Sequence, residues 1–158
     1  MQARILIDRL DARLLLALAD QPRATVLALA QRLGLSRNTV QARLEKLEQR
    51  GALASAERRV DPAALGYPLT AFVMVQVTQR RLDQLAEDLE RVPEILEVHG
   101  LTGQTDLLVR VAARDAEHLY QIAGNILATP GVERTTTALA MRTLVGYRIA
   151  PLLIRAAD

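Results

Sequence analysis

The sequence predicts an α+β protein in two parts: an N-terminal helix-turn-helix (winged-helix-like) domain and a C-terminal ferredoxin-like βαββαβ domain. Three observations carry this. Apolar residues recur at helical spacing up to about residue 50, strand-like and helix-like stretches then alternate, and the charge changes sign between the two halves. Residues 1–60 hold 11 Lys/Arg and 6 Asp/Glu, whereas residues 61–158 hold 9 and 12. A basic half followed by a mildly acidic one fits a polyanion partner for the first and a different task for the second. The boundaries read as 1–54 for the helix-turn-helix domain, 55–68 for a linker and 69–158 for the ferredoxin-like domain.

The first helix starts after Asp8, a good N-cap, and runs to about Asp20 on Leu10, Leu14, Leu15 and Leu18; "DQPRAT" then breaks it. A second helix follows Thr25. Its Val26, Leu29, Ala30 and Leu33 share one face, and Gly34 stands where a left-handed C-terminal residue is wanted. Ser36 then caps a third helix, within "GLSRNTVQARLEKLEQRG". The turn between the last two helices is too short to let them lie apart, which is the helix-turn-helix arrangement. Ala30, Gly34 and Val40 also fall at the spacing of that motif.

Rotating the third helix at about 100° per residue puts Val40, Leu44 and Leu47 inward. Asn38, Ala42 and Gln49 then lie opposite, with Gln41 and Glu45 on one shoulder and Lys46 on the other. Arg37, Asn38, Thr39, Gln41 and Arg43 come early along the axis, while Glu45 and Glu48 come late, where they would repel phosphates. The N-terminal half is therefore the part that fits a major groove. Asn38 and Gln41 carry amides suited to adenine edges, and Ala42 allows close approach. Ser36, Arg37, Asn38, Thr39, Gln41 and Arg43 make up the candidate DNA-binding set. Arg37 and Arg43 are the candidate phosphate clamps, with a structural ion pair as the alternative for Arg43.

Beyond the linker "SAERRVDPAALGYP", the stretch "LTAFVMVQVTQ" reads as a strand apolar on both faces. Leu82, Leu85, Leu89 and Val92 restore helical spacing up to Pro93. Strand patterns follow at Ile95–Leu101 and Leu107–Val111. A further helix carries Leu119, Ile122, Ile126 and Leu127 and stops at Pro130, and Val132–Met141 reads as the last strand. This order is the split βαβ unit, in which both helices cover one face of an antiparallel sheet. Phe72 and Met74 fall on the other face, so a second copy of the chain is the expected cover.

Composition narrows the function further. Aromatics make up 3%, with no Trp and one Phe, too few for a single-strand stacking platform. Without Cys there are no disulfides, thiolate metal sites or Cys nucleophiles, which suits a reducing cytosol. With only His99 and His118 as histidines, no metal and no cofactor are expected. The longest apolar stretch, Leu14–Ala19, is far below the roughly 20 residues of a membrane span, and no charged leader precedes a cleavable apolar segment. A cytoplasmic protein with no membrane partner is expected.

"IDRLDARLL" at the start, Arg23 before the second helix, "LAQRLGLSRNTVQARLEKLEQRGAL" and "VHGLTGQTDLLVRV" together resemble the Lrp/AsnC, or feast/famine, family of transcriptional regulators over nearly the whole chain. The resemblance implies double-stranded DNA as partner and dimers that build larger rings. It also implies a C-terminal domain that binds amino acids or related metabolites near the turn between the middle strands. That turn usually runs glycine, acidic residue, aromatic, aspartate. Here it is Gly103, Gln104, Thr105 and Asp106, so the outer positions match and the inner pair lacks the charge and the ring. Thr102, Gly103 and Asp106, with Thr135 and Thr137 on the last strand, are the candidate effector residues. For Gly103 and Asp106 the alternative is purely structural: a turn residue and the carboxylate that caps it.

Two other readings remain. One is an architectural DNA-binding protein without an effector. The other is an enzyme similar to sirohaem decarboxylases, for which His99 would be the natural acid or base; the basic, amide-bearing third helix argues against it, since an enzyme has no need of one. No catalytic residue is assigned.

Overall fold

The computed structural model describes residues 7–53, 60–78 and 82–158. Helix α1, Arg9–Asp20, begins at a reciprocal capping box: Asp8 accepts from the Asp11 amide, and Asp11 accepts from the Asp8 amide. Helix α2, Val26–Leu33, is capped by Thr25, and α3, Arg37–Gln49, by Ser36. Gly34 lies between them at φ +68°. There the Gly34 amide donates to Gln31 and the Leu35 amide to Ala30, which satisfies the last carbonyls of α2 while the chain reverses. Leu14, Ala17, Leu29, Ala30, Val40 and Leu47 from the three helices form one buried core. Of the predicted inward residues, Leu14, Leu29, Ala30, Val40 and Leu47 are in this core, Leu15, Leu18, Val26, Leu33 and Leu44 pack against it half-buried, and Ala17 joins it unpredicted.

The second sheet-bearing unit has β1 Leu69–Val77, α4 Leu82–Glu90, β2 Ile95–Gly100, β3 Leu107–Ala113, α5 Ala116–Leu127 and β4 Val132–Leu139. Its sheet is antiparallel throughout, in the order β2-β3-β1-β4, as a split βαβ unit requires. Val73 and Val75 of β1 and Val109 and Val111 of β3 are fully buried against Leu85 and Leu89 of α4 and Ile122 and Ile126 of α5. The periodicity of the apolar residues thus locates both helices on one face. The opposite face carries Phe72, Met74 and Leu108 half-buried and Ala138 exposed.

Several boundaries differ from the sequence reading: β2 ends at Gly100 rather than Leu101 and β3 at Ala113 rather than Val111. The last strand ends at Leu139 rather than Met141. In the structure, residues 145–158 group with α1–α3 in one compact unit, and the unit that holds the sheet ends at Leu144. A helix the periodicity did not flag, α6 (Ala150–Ala157), buries Leu153, and Arg9 of α1 donates through Nε to the Ala157 carbonyl at 3.3 Å. Eight residues with an apolar stripe cannot hold a helix alone in water, so α6 depends on that packing. Within the expected linker 55–68, residues 55–59 lie outside the described residues, and Pro62–Leu65 forms a single 3-10 turn capped by Asp61. Among the described residues, no helix is long and apolar enough to cross a membrane.

Candidate nucleic-acid interface and effector turn

In α3 the burial alternates as the rotation predicts. Val40 and Leu47 are buried and Leu44 half-buried, while Arg37, Asn38, Gln41, Ala42, Glu45 and Lys46 are exposed. The candidate set separates by what each side chain already does. Ser36 Oγ accepts from the Thr39 amide at 3.1 Å and lies 2.8 Å from Thr39 Oγ1, so both hydroxyls are used in starting the helix. Gln41, exposed, donates through Nε2 to Glu45 Oε1 at 2.7 Å, one turn on. Arg37 and Asn38 are exposed in the first turn, with no side-chain hydrogen bond or ion pair among the described residues.

Arg43 is taken by the structural alternative. Its Nη1 lies 2.6 Å from both Asp8 Oδ2 and Asp11 Oδ1. The arginine sits at the edge of the core stripe, and the α1 N-terminus, with its two capping carboxylates, is what it meets there. Its guanidinium is thereby paired with two carboxylates of α1. The hydrogen bond from Arg43 holds the Asp8 carboxyl below the usual carboxylate range, and the same two aspartates raise the guanidinium. These partners were not anticipated, although a capping box of two aspartates is itself an excess of negative charge that calls for a cation.

At the effector turn, Gly103 adopts φ +116°, a conformation that favours glycine. Asp106 Oδ2 accepts from the Val77 amide at 2.9 Å, and the Asp106 amide donates to the Val75 carbonyl at 3.0 Å. Gln76 reaches the same loop, donating to the Gln104 carbonyl at 2.8 Å. Asp106 therefore holds the β2–β3 turn against the end of β1, the structural role left open for it. Thr102 and Gly103 are exposed. Thr135 pairs with Val75 from the other side of β1, so it shares that end of the sheet, whereas Thr137 pairs with Val73, two residues further along.

Each histidine lies beside a carboxylate. His99 is exposed on β2, 3.5 Å from Glu97 Oε2. His118 is buried at the start of α5, where Nδ1 accepts from the Arg114 amide at 3.2 Å and Nε2 lies 3.3 Å from Glu94 Oε1. It ties α5 to the start of β2.

A helix-turn-helix whose second helix exposes a basic, amide-bearing first half, combined with a helix-covered antiparallel sheet, defines a two-domain DNA-binding transcriptional regulator. Residues 7–48 match the AsnC-type helix-turn-helix domain and residues 70–149 the Lrp/AsnC ligand binding domain. The chain belongs to the Lrp/AsnC family. It is 31% identical over 140 residues to the HTH-type transcriptional regulator FL11 of Pyrococcus horikoshii, covering 89% of this chain and 93% of that one. Among solved structures it is similar to E. coli AsnC, with a TM-score of 0.81 and 27% identity over 93% of this chain and 100% of that chain. It is also similar to a feast or famine regulatory protein from M. tuberculosis complexed with L-methionine, with a TM-score of 0.80 and 30% identity over 91% of this chain and 98% of that chain. These relatives are regulators, not decarboxylases.

Proposed function

We propose that the protein acts in the cytoplasm as an operator-specific regulator whose dimer inserts two copies of α3 into successive major grooves. The half-sites then stand about one helical turn, roughly 34 Å, or a multiple of it apart. The observation that carries this is the segregation along α3: Arg37, Asn38, Gln41 and Ala42 are exposed together on the first half, opposite Val40 and Leu47. Asn38 and Gln41 read base edges and Arg37 clamps a phosphate. The outer sheet face supports the dimer. It presents Phe72, Met74 and Leu108, and beside them Arg110 Nε is shielded from solvent with no hydrogen-bond partner among the described residues.

The effector is an amino acid or a related metabolite, held near Thr102, Gly103 and Thr135, with Thr137 as an outlying contact and Asp106 shaping the turn. Support comes from the L-methionine complex of the M. tuberculosis relative and from the exposed turn. Binding there changes transcription by favouring one assembly or helix spacing over another. The test is a gel-shift titration on genomic fragments recovered with the protein, combined with thermal-shift screening of the amino acids. Specific retention of a palindromic fragment and stabilisation by at least one amino acid are expected. Sequence-blind retention would refute operator reading, and retention without any amino-acid response would favour the architectural alternative.

A further inference from the structure

The segment after β4 is apolar, basic and bare. Met141, Leu144 and Tyr147 are 86%, 78% and 94% exposed, and Val145, Leu152 and Ile154 are exposed as well. Soluble chains scatter single apolar side chains over their surface, but a run of this density marks a contact. Residues 141–149 belong to neither helix nor strand. Arg142, Arg148 and Arg155 are exposed, and Asp158 is the only acidic residue after Glu133. The segment thus offers greasy side chains interleaved with positive charge.

The ferredoxin-like unit carries a surface of the opposite character. Between α4 and β2 lies an open groove of about 370 Å³. Helix α4 supplies Ala86, Glu87 and Glu90 to it, and β2 supplies Ile95, Leu96, Glu97 and Val98. The floor is apolar and the α4 rim is acidic. Glu87 and Glu90 are exposed with no ion-pair partner among the described residues, in contrast to Glu97, which Arg110 and His99 approach at 3.6 and 3.5 Å. Strand β2 is also an edge of the sheet, paired only with β3, so its outer backbone groups are open to an extended chain.

We infer that residues 141–149 of one copy dock into the α4–β2 groove of another. Leu144 and Tyr147 cover the apolar floor, and Arg142 and Arg148 meet Glu87 and Glu90. The contact joins two different surfaces and is therefore heterologous, unlike the self-complementary sheet pairing of the dimer. Repeated from dimer to dimer, such a contact extends the assembly, into a ring where its rotation closes. The inference rests on the oligomeric reading above and names the surfaces that extend the dimer into a larger assembly.

The test is a charge swap read by size-exclusion chromatography with light scattering at about 0.1 M salt, where surface charges are only partly screened. Glu87→Lys with Glu90→Lys, and separately Arg142→Glu with Arg148→Glu, are each expected to reduce the wild-type assembly to the dimer. An equimolar mixture of the two variants, whose charges again complement, is expected to recover the larger mass. Leu144→Ser with Tyr147→Ser removes the apolar half of the contact without altering charge, and a fall to the dimer is expected there too. Matching thermal melts establish that each variant is folded. If the folded variants keep the wild-type mass, or the mixture fails to reassemble, the groove contact is overturned while the dimer stands. A monomeric wild-type chain would overturn both.

Discussion

Arg43 Nη1 lies 2.6 Å from Asp11 Oδ1, and through this contact α3 is fastened to the N-terminus of α1. Asp8, at the same distance, completes a fork around the guanidinium. The Arg43 side chain is 27% exposed and that of Asp11 12%, so the pair is screened less than a free surface ion pair. It ties α3, which carries Arg37, Asn38 and Gln41, to the start of α1.

Arg43→Ala leaves the mostly buried Asp11 carboxylate without its cation. A loss of about 1–2 kcal/mol in urea unfolding is expected, the scale of charged hydrogen bonds of this kind. DNA affinity should fall through the displaced helix, while the slope of binding against salt stays near wild type. A slope lowered by a full phosphate contact would show that Arg43 reaches DNA directly.

The same fork makes stability depend on pH. Asp8 titrates below the usual carboxylate range when folded, chiefly because Arg43 donates a hydrogen bond to it. A depressed carboxylate contributes stability that is fully present above the unfolded pKa of about 3.9 and lost as the pH falls through the lower folded value. The stability difference between wild type and Arg43→Ala should therefore be constant from neutral pH down to about 5 and shrink below about 4. A difference unchanged at pH 3 would disprove the linkage.

On the exposed half of α3, Asn38→Ala and Gln41→Ala should each cost about 1–3 kcal/mol of operator affinity and relax preference at one base pair. Arg37→Ala should weaken binding to all sequences alike and lower the salt slope by about one. Fluorescence anisotropy over a salt series on operator and scrambled DNA separates the two behaviours. Uniform weakening by the Gln41 variant would move that residue to the phosphate set.

Gly34→Ala isolates a backbone cost. A Cβ there meets nothing within 4 Å, so packing is unaffected, yet φ is +68°. The left-handed conformation costs an L-residue about 1–2 kcal/mol, and the helix-turn-helix unit should lose that much in chemical denaturation. No loss would mean the turn relaxes to another conformation.

At the β2–β3 turn, Asp106→Ala removes the acceptor for the Val77 amide and should cost about 1 kcal/mol in the absence of any amino acid, whereas Asp106→Asn, which keeps an acceptor oxygen, should stay close to wild type. Equal loss in both variants would show that the carboxylate charge, and not the acceptor oxygen alone, holds the turn.

The sequence by itself determined the local elements and their inward faces. Asp8, Thr25 and Ser36 announced three helix starts, Gly34 announced the reversal, and alternating valines in β1 and β3 with leucines and isoleucines in α4 and α5 placed both helices on one face of the sheet. Those signals are written in nearest neighbours and in periods of two and 3.6, which short stretches contain. Only the tertiary structure decided what depends on residues distant in the chain. Arg43 proved a clasp because Asp8 and Asp11, more than thirty residues earlier, meet its guanidinium. Asp106 proved a brace because the Val77 amide lies against it. Helix α6 joined the first unit because its apolar stripe, too short to persist alone, packs against α1, a partner from the opposite end of the chain.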